Sequence, residues 1–118
     1  MSISYLNHKG KKILYINYSN CKTVEDTLAV LEMVKNEYFK TVGTMLTLND
    51  FSGAYGSTEY MKKANEYAKE IFNKRTAKNA AIGVTGIKKI LLQSHNLLVK
   101  DKIVPFNTKE EALDYLVQ

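Results

Sequence analysis

The residues able to do chemistry gather in two short stretches. In the first, the apolar run Met45, Leu46 and Leu48 ends at Asn49-Asp50-Phe51-Ser52-Gly53, and a loop through Ala54-Tyr55-Gly56 leads to Ser57-Thr58-Glu59. Asp50 at a strand's carboxyl end has two roles open to it: holding the loop by accepting its N–H groups, or facing a ligand. Ser57 and Thr58 suit helix N-caps, and a phosphate added there would meet free N–H donors and a favourable dipole; Ser52 is a third hydroxyl in the loop. The second stretch is Val84-Thr85-Gly86-Ile87-Lys88-Lys89. Lys88 and Lys89 in a helix's first turns oppose its dipole, and an anion held by Thr85, the N–H groups around Gly86 and a lysine would offset that. The bland alternatives are a cap and solubilising lysines.

Elsewhere the chemistry is sparse. His8 lies in a turn beside Lys9, and His95 lies on a helix as a surface or boundary residue; neither has a Ser/Asp or Cys partner nearby in sequence. Cys21, the only cysteine, precedes a helix start that can lower a thiol pKa, but an ordinary small loop or core residue is the simpler reading. One cysteine excludes an internal disulfide, and no Cys/His spacing matches a zinc site. Asp50 with Asn49 offers too few oxygens for a metal. The sequence therefore predicts no enzyme, no metal and no cofactor.

The 118 residues fit one domain spanning 1-118, long enough for a hydrophobic core. The net charge of +5 attracts anionic partners, but the lysines touch nearly every segment and Arg75 is the single arginine. A solvated basic surface, with no nucleic acid bound, is the expectation. The first residues lack the basic and apolar regions of a signal peptide and no apolar run approaches about 20 residues, so a cytoplasmic protein without a transmembrane segment is expected.

The elements positioning both stretches follow from periodicity. Ile3 and Tyr5, a turn at Asn7–Lys11 and the β-rich Ile13–Tyr18 predict a hairpin. Thr23 with Asp26 resembles a capping box, ahead of Val24, Leu28, Leu31, Val34 and Tyr38 at helical spacing. Thr44 to Leu48 predicts a central strand, and Tyr60, Met61, Ala64, Tyr67, Ala68, Ile71 and Phe72 a second amphipathic helix. Arg75 to Lys78 is expected to link it to a strand over Asn79–Val84. A third helix is expected to bury Ile87, Ile90, Leu91, Ser94, Leu97 and Leu98. Lys102 to Phe106, with Pro105, predicts an edge strand, and Thr108 with Glu111 caps a last helix. The order ββαβαβαβα predicts an α/β fold: a mixed, mainly parallel sheet of four or five strands with flanking helices.

Three segments, Leu48-Asn49-Asp50-Phe51-Ser52-Gly53, Ala80–Lys89 and Phe106–Leu113, together resemble the STAS/SEC14-type family. That family includes anti-sigma-factor antagonists and cytoplasmic domains of sulfate transporters. The resemblance implies a STAS-like fold without established catalysis; joined to the residues above, it leads to the expectation of a regulatory or binding domain that presents Asp50–Thr58 and Thr85–Lys89 to a protein partner or small anionic ligand. In the antagonists an Asp-Leu-Ser-Gly-like segment leads to an Asp-Ser-Ser-Gly-like turn whose serine is phosphorylated. Asp50-Phe51-Ser52-Gly53 matches the first, and Gly56-Ser57-Thr58-Glu59 stands where the second belongs, lacking its acid and its glycine. Ser57 is the positional counterpart of the phosphorylated serine, with Thr58 next. The SEC14 comparison implies an alternative, a lipid or apolar ligand in a cleft lined by Phe51, Tyr55, Tyr60 and Tyr67. A homodimer is compatible with either.

Overall fold

A computed structural model describes residues 2–100 and 102–118. Five strands, β1 (Ser2–His8), β2 (Lys11–Asn17), β3 (Met45–Asp50), β4 (Thr76–Ile82) and β5 (Ile103–Phe106), lie side by side in sequence order. β1 and β2 form the antiparallel hairpin, while β2, β3, β4 and β5 run parallel. The mixed, mainly parallel sheet that the alternation of elements predicts is thus present, with five strands.

The helices are α1 (Val24–Lys40), α2 (Thr58–Tyr67), α3 (Ile87–Leu98) and α4 (Lys109–Leu116). Because the sheet grows in one direction from β2 to β5, right-handed crossovers place α1, α2 and α3 on one face. Strand side chains alternate between faces accordingly. Leu14, Ile16 and Tyr18 pack with Val30, Leu31, Val34 and Ala64 beneath α1 and α2, whereas Ile13, Leu48 and Ala80 pack with Ala112, Leu113 and Leu116 of α4. Thr23 and Thr108 cap as their spacing predicts, accepting from Asp26 N at 3.1 Å and Glu111 N at 3.2 Å.

Several expected boundaries move. β3 runs on through Asn49 and Asp50, because Asp50 still pairs with Asn17 and Ile82 on either side. Arg75 to Lys78 is no linker: α2 continues through a wide π-helical turn (Ala68–Phe72) and a last turn (Asn73–Arg75), and β4 starts at Thr76. Arg75 instead seals the end of α1. Its guanidinium donates to Tyr38 O, to Gly43 O at 2.8 Å and to Thr41 Oγ1 at 3.1 Å, placing a cation where helix carbonyls are left over.

The largest departure is the rotation of α3. Leu92 and His95, not the predicted stripe, face the core, while Ile87, Ile90, Leu97 and Leu98 are exposed. Polar contacts along the inner face set this rotation. Lys88 Nζ donates to Phe51 O at 2.6 Å, His95 Nδ1 bonds Asn65 Oδ1, and Asn96 clips Ile103 twice, accepting from its N–H and donating to its carbonyl, both at 2.9 Å. Turning the stripe inward would break all of them.

Thr47 sits in the middle of β3, 2% exposed, and its hydroxyl has no hydrogen-bond partner among the described residues. A desolvated, unpaired hydroxyl is destabilising, and valine has nearly the same shape without it. Thr47→Val is therefore expected to stabilise the fold by about 1 kcal/mol, read as a raised urea midpoint with unchanged slope. An unchanged or lowered midpoint would show that the hydroxyl is satisfied in solution.

Candidate functional site

β3 and β4 end together at one edge of the sheet, and the two chemistry-bearing stretches leave from those ends. Asp50 is tied down from both sides: Tyr15 donates its hydroxyl to Oδ2 at 2.6 Å, and Ser52 N donates to Oδ1 at 3.0 Å. Burial alone would raise its pKa, but the Tyr15 hydroxyl, the Ser52 donors and the Lys109 ammonium outweigh it and hold the carboxyl below its ordinary value. Burial, and after it the bond to this carboxylate, pushes the Tyr15 hydroxyl up to about 12. Of the two roles open to Asp50, the geometry shows loop-holding.

The loop after Asp50 is fastened along its length. Phe51 N donates to Ile82 O at 2.9 Å, Lys22 Nζ to Gly53 O at 3.0 Å, and Tyr55 N to Cys21 O at 2.9 Å. The Phe51 ring stacks on Tyr18 at 4.9 Å between centroids and meets Tyr60 edge-on at 6.2 Å. Ser57 Oγ caps α2, accepting from Tyr60 N at 3.1 Å, and Ser57 is only 7% exposed. Thr58 is exposed, its hydroxyl donating to Glu59 Oε1 at 3.2 Å, and Ser52 is exposed as well.

The Thr85–Lys89 segment lies against this loop. Gly83, with φ +73°, brings the chain so close under Ser52 that an added Cβ would stand 2.5 Å from Ser52 Cα and from its Oγ. Gly56 abuts α3, where a Cβ would come within 2.9 Å of Lys88 Cγ and 3.3 Å of Leu91 Cδ1. Thr85, Gly86 and Lys89 are exposed, and Gly86 occupies the N-cap of α3 without a side-chain cap. Lys88 is partly buried and bonded to Phe51 O. Burial lowers its pKa, with the Asp50 carboxylate acting the other way and Lys22 adding to the lowering. So Asp50, Ser52, Ser57, Thr58, Thr85, Gly86, Lys88 and Lys89 share one rim, but Asp50, Ser57 and Lys88 already hold structural bonds.

Between the two segments lies an apolar cleft of about 390 Å³ including its open mouth, with Phe51, Tyr55, Tyr60, Val84 and Leu91 in its walls. Of the four aromatic residues expected to line a cleft, Tyr67 does not take part; its hydroxyl donates to Glu32 on α1. Lys22, Gly83 and Tyr15 escaped sequence reasoning, since their roles exist only across strands and loops far apart in the chain.

The remaining titratable groups stand elsewhere. Cys21 is fully buried and burial pushes its thiol up, the opposite of an activated thiolate. His95, expected at a surface or boundary, is 4% exposed, and burial pushes its pKa down to about 4. His8 ends β1 rather than lying in the turn, and its Nε2 meets Asp114 Oδ1 on α4 at 2.9 Å. Among the described residues no three His, Cys, Asp or Glu side chains are grouped to hold a metal.

No protein-family model matches the sequence, and no curated protein matches it either. A solved structure does match in fold: an uncharacterised protein of the DUF3478 family with a SpoIIAA-like fold, from Shewanella loihica PV-4. The match has a TM-score of 0.73 at 17% sequence identity, over 98% of this chain and 92% of that one. The fold is therefore SpoIIAA-like, the STAS-like architecture that the motifs imply. No helix among the described residues is long and apolar enough to cross a membrane.

Proposed function

We propose that this chain, a single domain of STAS-like fold, is a non-catalytic regulatory module that docks a protein partner at the Asp50–Thr58 loop and the Thr85–Lys89 helix start. One observation carries the reading: the two segments interlock, with Gly83 under Ser52 and Lys88 Nζ on Phe51 O, so a partner touching one meets the other. A small anionic ligand at the exposed start of α3 remains part of the same reading, because N–H groups without a side-chain cap attract anions. The module works in the cytoplasm and without a cofactor.

Phosphorylation of Ser57 is a subordinate part of this reading. A phosphate there would gain from the first-turn N–H groups of α2. Since Ser57 is 7% exposed and its Oγ caps Tyr60 N, a kinase must first open the loop. Intact-mass measurement after incubation with candidate kinases is expected to show one phosphate on the parent and none on Ser57→Ala; equal labelling would exclude that acceptor.

Affinity capture from native lysate tests the docking surface. Tyr55→Lys, in the loop, and Ile87→Glu, on α3, are each expected to lose the same bound protein, while Val42→Glu, at the far end of the sheet, keeps it. Loss through Val42→Glu alone would place the interface elsewhere.

The apolar lining of the cleft favours one second reading, a lipid or apolar small molecule. Without its open mouth the cleft encloses only about 30 Å³, far below the about 300–1,000 Å³ of ligand pockets, so a lipid would lie largely outside it. Native mass spectrometry of freshly purified protein decides: co-purifying lipid supports this reading, a bare chain the docking module.

A further inference from the structure

We infer that the partner engaged at this rim is an acidic amphipathic helix, laid along the outer face of α3 with one apolar side chain anchored in the neighbouring cleft; this rests on the docking reading above. Ile87, Ile90, Ser94 and Leu97 follow one another at intervals of three, four and three, the spacing of a seam that receives a second helix. At about 100° per residue they form one continuous stripe, and Leu97 is 86% exposed. The polar clamps on the opposite side of α3 hold that stripe outward, so its exposure is built into the packing.

Charge selects the partner's sign. From Val84 to Lys102 the chain carries Lys88, Lys89, Lys100 and Lys102 against a single acid, Asp101. On α2, Glu59 and Glu66 bond Thr58 and Lys63, and Asp50 is taken by Tyr15 and Ser52. α2 and α3 both follow parallel strands, so their N-termini, the positive ends of their dipoles, open on the same edge. Acidic side chains flanking the partner's apolar face would lie over that edge and beside Lys89.

Two other occupants fit less well. A second copy paired antiparallel through α3 would set Lys89 of one chain against Lys100 of the other. An anionic bilayer is flat, whereas the cleft beside Gly56 is concave, and Lys88 and Lys102 are turned to Phe51 O and Val99 O. That leaves Lys89 and Lys100 at the stripe, fewer than the roughly four to eight cations of polybasic membrane anchors.

Selection from a random 16-residue phage-displayed library on the intact protein, counter-selected on Leu97→Glu, tests the inference. Enriched peptides are expected to carry apolar residues at i, i+3 or i+4, and i+7, with net negative charge. A synthesised winner should bind at least tenfold more weakly to Leu97→Glu, and at least tenfold more weakly to the parent when its acids are changed to lysine. Enriched helices that are basic or neutral would overturn the acidic partner and leave the docking surface standing. No enrichment over Leu97→Glu would overturn the inference, and the Tyr55→Lys and Ile87→Glu captures then decide the docking reading separately. Co-sedimentation of the parent with phosphatidylglycerol-containing vesicles, or a dimer abolished by Leu97→Glu, would overturn it in favour of a bilayer or a second copy.

Discussion

Gly83→Ala is expected to destabilise the protein by about 3 kcal/mol or more and to dislodge the loop that Asp50 holds. Two effects add at this position. The backbone stands at φ +73°, where any Cβ is strained by about 1 kcal/mol. That Cβ would also collide with the Ser52 backbone, which cannot swing aside as a flexible side chain would. Gly10→Ala separates the two: its φ is +80°, yet nothing lies within 4 Å of an added Cβ, so it should lose about 1 kcal/mol only. Thermal or urea unfolding of both variants is the check, and equal losses would mean that the close approach of Gly83 to Ser52 does not hold the rim together.

The second large effect is a loss of stability in mild acid that belongs to His95. In the folded chain burial keeps the imidazole neutral down to about pH 4, whereas the unfolded chain takes up its proton near the ordinary value of 6.5. Below 6.5 the unfolded state therefore binds more protons, and stability falls with pH until both states are protonated below about 4. The gap corresponds to about 3 kcal/mol, fully in hand above pH 6.5 and gone below about 4. Asp50 acts in a lower window: its carboxyl titrates below its ordinary value, so its contribution is present above that value and lost as pH falls further. Urea titrations of the parent at pH 7.5 and 4.5 should show the fall, and His95→Gln should flatten it. Parallel curves for parent and variant would contradict the assignment to His95.

The strands were legible because Ile3 and Tyr5 alternate with polar neighbours, because Ile13–Tyr18 is rich in β-branched and aromatic residues, and because apolar runs end at Gly or Asn-Asp. The caps at Thr23 and Thr108 were legible because a hydroxyl followed three residues later by an acid is a local signal, and that at Ser57 because its hydroxyl stands just ahead of the stripe that begins at Tyr60. The rotation of α3 was not, and the reason is physical. Periodicity reports only that Ile87, Ile90, Leu97 and Leu98 share a face; which way that face turns is decided by Lys88, His95 and Asn96 reaching Phe51, Asn65 and Ile103, and none of those bonds leaves a mark in the spacing. Gly83 has the same character, since a glycine after a strand predicts a turn but not that Ser52 lies on top of it. The candidate site was legible as two segments at one sheet edge. That Asp50, Ser57 and Lys88 are occupied in holding the rim, and that its free surface is largely apolar, required the packed structure.

Site-specific photo-crosslinking bears on the shared rim most directly. A photoreactive phenylalanine analogue is placed singly at Tyr55, at Ile87, and at Val42, which is 95% exposed at the opposite end of the sheet. In native lysate, Tyr55 and Ile87 are predicted to crosslink to the same protein and Val42 to none. Different partners from Tyr55 and Ile87, or a partner captured from Val42 alone, would contradict a single docking surface.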